Sequence, residues 1–220
     1  MRSLSELVES QDSAWPEVEA AVAGAPYPVV VLAVDSQRAD EELLRVQVTT
    51  RSWLGAVVHR SGGLVLDHGW LRVLGSGNEE YRLASLGEIN DFAGAVVVAR
   101  DVLGGQFAWR VNAAGGPTIW YLAPDTLRWE NCELGYGGWL AAMIGGGTTA
   151  FYQHLRWPGW VHETETCQLD HAIDVFPPLW TREGKDISAA SRRVVPMSEA
   201  MSRIGVTRGR GDAGNDHRVH

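Results

Sequence analysis

Lysine is almost absent from this chain of 220 residues: Lys185 stands alone, and the other fixed cations are arginines. Acids outnumber bases 27 to 19, for a formal net charge of −8. General attraction to nucleic-acid phosphate or to anionic lipid, which runs on clustered Lys and Arg, is therefore not expected. A basic protein is the better-matched partner. Cysteine is equally scarce, with Cys132 and Cys167 forming no closely spaced pair and no Cys/His cluster around Cys132. That excludes a zinc site and a disulfide framework and fits free thiols in a reducing cytoplasm. The N-terminus, MRSLSELVESQ, carries acids where a secretion signal needs an apolar stretch. No later run approaches the ~20 apolar residues that cross a bilayer. A cytoplasmic protein without membrane contact is expected.

The familiar catalytic signatures are missing too. Gly75 and Gly77 of LGSG lack the third glycine of a dinucleotide loop and the Gly-Lys-Ser/Thr ending of a P-loop. No serine occupies a nucleophile elbow, and both cysteines lie among acids, which disfavour thiolate. His59, His68, His154, His162 and His171 are scattered, without the i,i+4 pairing of a helical metal site. Neither a metal nor a cofactor is expected.

What is present is material for a core, with 45% hydrophobic residues and ten tryptophans. Ser3 and Glu6 have capping-box spacing for a short first helix, and Trp15, Val18 and Val22 recur on one face of a second. PVVVLAV at 28–34 reads as a strand buried on both faces. Residues 36–45 suit a helix, and 46–60, rich in Val and Thr, favour strand. Gly62-Gly63 then reads as the turn of a hairpin leading into LVLDHGWLRVLGSG. A helical stretch at SLGEINDF precedes AGAVVVARD, GGQFAWRV and PTIWYLA, a meander with a glycine turn at Gly115-Gly116. GYGGWLAAMIG and TTAFYQHL read as helices broken at Gly145 to Gly147 and stopped by Pro158. RWPGWVHETE reads as loop, 176–196 as irregular, and SEAMSRI as a terminal helix. The expectation is a single α+β domain over 1–206, its mostly antiparallel central sheet having helices before and after it. Residues 207–220, TRGRGDAGNDHRVH, offer nothing to bury and are expected to be disordered.

Two groups of residues invite a functional reading. In the hairpin, Asp67, Gly69, Trp70 and Arg72 are expected to set the geometry, Trp70 in the core and Gly69 letting the backbone bend. Asp67-His68 could pair a base with its orienting acid, but neighbours on a strand point to opposite faces, so local backbone bonding is the better expectation. The second group is the loop RWPGW with the basic residues after it. Trp157 and Trp160 on a rigid loop beside Arg156, joined by Lys185, Arg192 and Arg193, could form a patch for a carboxylate or another anion.

Several blocks, SAWP at 13–16, QVTTRS at 47–52, GGLVLDHGWLRVLGSG at 62–77, APDTLRWE at 123–130, FYQHLRWPGW at 151–160 and FPPLWTREGKDISAASRRVVP at 176–196, resemble the bacterial family known as domain of unknown function 2625. The likeness runs in order through nearly the whole chain, and it implies no reaction. A weaker likeness, carried by GGQFAWRV, PTIWYLAPDT and the GYGGWLAAMI helix, is to SUKH-superfamily domains. It implies a SUKH-like fold and an immunity or adaptor role in which an aromatic, acidic face occludes a toxin or other basic protein. The rival reading is an enzyme acting on a small or carbohydrate substrate with Asp67, His68 and Arg72 at its site. A cleft bringing His68 and an acid within hydrogen-bond reach would favour it. A third reading is a housekeeping domain whose tryptophans are all core.

Overall fold

The structure is a computed structural model that describes residues 1–8, 12–92, 94–112 and 115–205; the tail expected at 207–220 lies outside them. The chain begins with helices α1 (Leu4–Leu7) and α2 (Trp15–Ala23), strand β1 (Val29–Leu32), and helices α3 (Ser36–Val46) and α4 (Trp53–Arg60). Then follow β2 (Gly63–Leu66), β3 (Leu71–Leu74), helix α5 (Leu86–Ile89), β4 (Val96–Asp101), β5 (Gln106–Asn112), β6 (Gly115–Leu122) and β7 (Trp129–Asn131). Helices α6 (Tyr136–Ala142), α7 (Thr148–Phe151) and α8 (Trp160–Thr166) lead to the hairpin β8 (His171–Phe176) and β9 (Ser191–Pro196), and α9 (Met197–Arg203) closes the described chain.

Strands β1 to β7 form one antiparallel sheet in sequence order, so the fold is α+β. Alternation places Leu64, Leu66, Leu71, Val73, Phe107, Ile119 and Tyr121 on one face, all buried. Phe107 stacks on Tyr121 at 4.6 Å and meets Trp139 of α6 at 4.9 Å, which fastens the helices to that face. On the other face Arg72 is only 1% exposed and donates to the carbonyls of Gly69, Leu169 and His171, tying the sheet to the segment that enters β8. The second sheet, β8–β9, shares a small core with α9 built on Ala172, Val195, Met197, Ala200 and Met201. It joins the large sheet through the Ile173 N–H to Val102 C=O bond of 2.7 Å.

Six local expectations change. Residues 53–60 are helix: Ser52 Oγ accepts the Gly55 N–H at 3.1 Å, and Gly55 lies so close to the Thr49 carbonyl that any side chain would collide with it. The valine-rich stretch buries Leu54, Ala56, Val57 and Val58, and tertiary burial outweighs β-propensity. Gly62-Gly63 accordingly joins a helix to a strand, and the hairpin turn is Asp67 to Trp70 instead. Strand β1 is a sheet edge, so Val30 and Val31 face solvent where burial on both faces was expected. Gly115 and Gly116 begin β6 rather than form the turn before it. Finally, 160–166 is helix, and strand β9, Ser191–Pro196, ends the stretch 176–196 expected to be irregular, paired with β8, His171–Phe176.

Candidate functional site

The turn between β2 and β3 runs through three successive left-handed residues, Asp67 (φ 54°), His68 (φ 58°) and Gly69 (φ 86°). For a residue with a Cβ this conformation costs roughly 1–2 kcal/mol, so two in a row persist only where the surroundings impose them. Those surroundings are visible. The Asp67 N–H donates to the Pro28 carbonyl at 2.9 Å, and the Trp70 N–H returns to the Asp67 carbonyl at 3.1 Å. The buried Asp67 carboxylate accepts the Thr148 hydroxyl at 2.6 Å and the Arg156 guanidinium. Gly69 is required by its φ and by crowding, because a Cβ would stand 3.0 Å from the Thr164 carbonyl. Trp70 is fully buried against Tyr152, Trp157 and Trp160.

The consequence is a division of labour between neighbours. Asp67 turns inward to hold the turn, and His68 turns outward toward α8, where its Nδ1 lies 2.7 Å from Glu165 Oε1. The Trp160 ring meets the imidazole edge-on at 5.8 Å. Among the described residues no group hydrogen-bonds His68 Nε2. If Nδ1 carries the proton toward Glu165, Nε2 keeps its lone pair and can take a proton from a bound molecule.

His68 and Glu165 stand on the wall of a cavity of about 230 Å³. It is lined by Pro28, just before β1, by Val30 and Leu32 of β1 and Val65 of β2, and by Gly69, Tyr81, Thr164, Cys167 and Leu169. The lining is largely apolar with one polar pair, the usual composition of a small-ligand site. Among the described residues no three His, Cys, Asp or Glu side chains gather as metal ligands. Burial and the nearby Glu130 push the Cys132 thiol up to about 11, which leaves it protonated and poorly nucleophilic.

The residues expected to form an anion patch are brought partly together, and each basic one meets an acid. Arg156 pairs with Asp67 and stacks on the Trp160 ring at 4.1 Å. Arg192 pairs with Glu163 at 3.2 Å, donates to the carbonyls of Ile187 and Ala190, and lies over Trp157 at 4.9 Å. Arg193 binds Asp174 and Glu199, and Lys185 stands 3.7 Å from Asp125. Trp157 is only 2% exposed and its Nε1 donates to Glu163, so it is core where a surface loop was expected. Trp160 opens α8 and is partly buried between Trp70 and Arg156. Of Asp67, His68 and Arg72, only His68 lines the cavity; Asp67 and Arg72 are buried behind it. Glu165 is not legible in the sequence, where RWPGWVHETE reads as loop. The signal was local: Gly159, left-handed at φ 86°, starts a helix whose first turn carries Glu163.

The chain is a member of the family described as "Protein of unknown function DUF2625", whose model matches residues 4–200. It is similar to the uncharacterised protein YbfG of Escherichia coli strain K12, with 35% identity over 205 residues, covering 90% of this chain and 94% of that one. An uncharacterised protein of Haemophilus influenzae strain KW20 is 32% identical over 196 residues, covering 84% of this chain and 85% of its own. No solved structure matches the chain.

Proposed function

We propose that the protein binds a small, mainly apolar molecule in the groove beside β1 and moves a proton on it with His68, which Glu165 orients. The observation that carries this reading is the 2.7 Å His68–Glu165 contact on the wall of an apolar cavity. An imidazole braced by a carboxylate at one nitrogen and open at the other is the standard arrangement for general acid–base work. The strained turn beneath it supports the same reading, since left-handed residues with side chains concentrate at functional sites. A volume near 230 Å³ suits a compact acyl or aromatic group with one polar head. A carbohydrate, which needs rows of polar partners, fits these walls poorly. Occlusion of a basic toxin by a SUKH-like cytoplasmic immunity protein keeps the net charge of −8 in its support. Of the two loop tryptophans that also supported it, Trp157 lies in the core and Trp160 is partly buried between Trp70 and Arg156.

The test is an NMR titration of protein carrying labelled histidine and methyl groups with short-chain carboxylic acids, amides and esters and simple aromatic alcohols. Shifts confined to His68, Val30, Val65 and Leu169 are expected, with affinity at least tenfold weaker in His68→Gln. Glu165→Gln should keep the binding and change the tautomer recorded by the His68 ring nitrogens. Silence across the panel, or equal shifts in His68→Gln, would overturn the proposal.

A further inference from the structure

The large sheet has two edges, and they are built differently. Strand β7 is short, Trp129–Asn131, and carries Glu130 in its middle with Arg128 just before it. Short length and charge are the ordinary devices that keep a sheet edge from pairing with another chain. Strand β1, Val29–Leu32, is only one residue longer but lacks the charge: PVVVLAV, 28–34, holds no charged residue, and no bulge interrupts its register with β2. Val30, Val31 and Val34 are 48%, 37% and 39% exposed.

The backbone of β1 shows which groups are open. The Asp67 N–H donates to the Pro28 carbonyl and the Gly62 N–H to the Leu32 carbonyl, so the even-numbered residues direct their polar groups toward β2. In an antiparallel pair the intervening residues point the other way. Val29 and Val31 therefore present their N–H and C=O groups at the outer edge, where no strand of the described residues pairs with β1.

We infer that a second copy of this chain pairs with β1 in antiparallel fashion, about a two-fold axis at Val30. The register is self-complementary. Centring the axis on Val30 sets Val29 opposite Val31 of the partner subunit and Val31 opposite Val29 of the partner subunit, so two open residues on each side exchange both their hydrogen bonds. Partners directly across a sheet share a face, so Val30 of the partner subunit falls on the face where this chain's Val30 and Leu32 line the groove. The pairing thus joins the two sheets into one and sets two apolar grooves side by side along the seam, each gaining a valine wall from the other copy. Burial of the exposed valines adds an apolar contribution that a free peptide of random sequence would not supply. This inference stands on the strand edge and is independent of proton transfer in the groove.

Sedimentation of the full chain over a concentration series decides it. The weight-average mass should move from 24.0 kDa toward twice that value as concentration rises from about 1 to about 200 µM, the range of a modest interface. Val31→Pro removes the outward donor without touching any hydrogen bond to β2, and proline is tolerated where a strand's N–H faces solvent. Val31→Lys puts a charge on the edge and keeps the backbone intact. Both variants should remain at 24.0 kDa throughout with the wild-type circular dichroism spectrum, and Val31→Lys decides the matter alone if the proline variant fails to fold. A wild-type chain that stays monomeric across the series, or a dimer that persists in Val31→Lys, overturns the inference. So does a mass increase that appears only on adding an extended peptide of different sequence.

Discussion

Arg156 shows how a residue that looks like a ligand-binding cation can belong to the scaffold. Its guanidinium meets the Asp67 carboxylate, and the two side chains are 13% and 4% exposed. Removing the cation leaves a buried carboxylate short of its partner, at a cost of about 3–5 kcal/mol for pairs of this kind. Arg156→Ala is therefore expected to lower the unfolding free energy by about 3 kcal/mol in urea, and a loss under about 0.5 kcal/mol would return Arg156 to the surface. The opposite balance holds at Asp101, where burial raises the carboxyl's pKa although the Tyr121 hydroxyl and the N–H groups of Gly105 and Leu103 all favour the anion. An acid raised in the folded state contributes stability that is whole below its unfolded value and is lost as pH rises through the folded one. The stability of the wild type relative to Asp101→Asn should accordingly fall as pH climbs from about 4 toward neutrality, the unfolded carboxyl titrating near the lower end. Urea unfolding of both proteins across that range measures it, and a difference that grows with pH would contradict the assignment. These two residues also mark what sequence could convey. Trp70 and its neighbours were readable as hairpin core from hydrophobicity, but ion pairing across 89 positions, as between Arg156 and Asp67, leaves no trace in local pattern.

Elements were legible where the pattern has one meaning. The 3.6-residue periodicity of α2, the helix-compatible stretch at 36–45 and the meander read at β4 to β6 correspond to the observed elements. They were misread where local preference and tertiary demand disagree: 53–60 is valine-rich yet helical, and 160–166 follows a Pro-Gly turn yet folds as α8. That second error hid the site, because α8 is the element that carries Glu165 to His68. The two elements meet at Gly69, whose backbone lies against the Thr164 carbonyl. Gly69→Ala should cost about 1–2 kcal/mol from its left-handed backbone alone. It should also push α8 away and loosen the 2.7 Å His68–Glu165 contact. Differential scanning calorimetry gives the first effect, and the His68 ring-nitrogen shifts give the second. A variant with a lower Tm and unchanged shifts would show that the turn supports stability without positioning the imidazole.

At the scale of the whole molecule, one sheet face is sealed by helices and the other is covered along β3 by the chain that leads into β8, which leaves the β1 end open. The groove and the unguarded edge are both products of that arrangement, and neither could be foreseen while 28–34 read as a fully buried strand. The other end of the chain invites a different test. The family match ends at residue 200, and Met197, Ala200 and Met201 of α9 complete the small core with Ala172 and Val195. The sequence beyond, TRGRGDAGNDHRVH at 207–220, holds one valine, Val219, and no other sizeable apolar side chain. Fixing a residue's backbone costs about 1–2 kcal/mol, which a segment with so little to bury has no means of offsetting. A chain ending at residue 206 should therefore match the full-length protein in Tm within about 1 °C and in its groove titration, since a change of 1 kcal/mol in a molecule of this size would shift Tm by roughly 2–4 °C. Ending the chain at residue 196 removes α9 and should instead expose β8–β9 and lower Tm by many degrees. Equal melting of the two truncations, or loss of soluble protein from the first, would show that the boundary of the folded unit lies elsewhere.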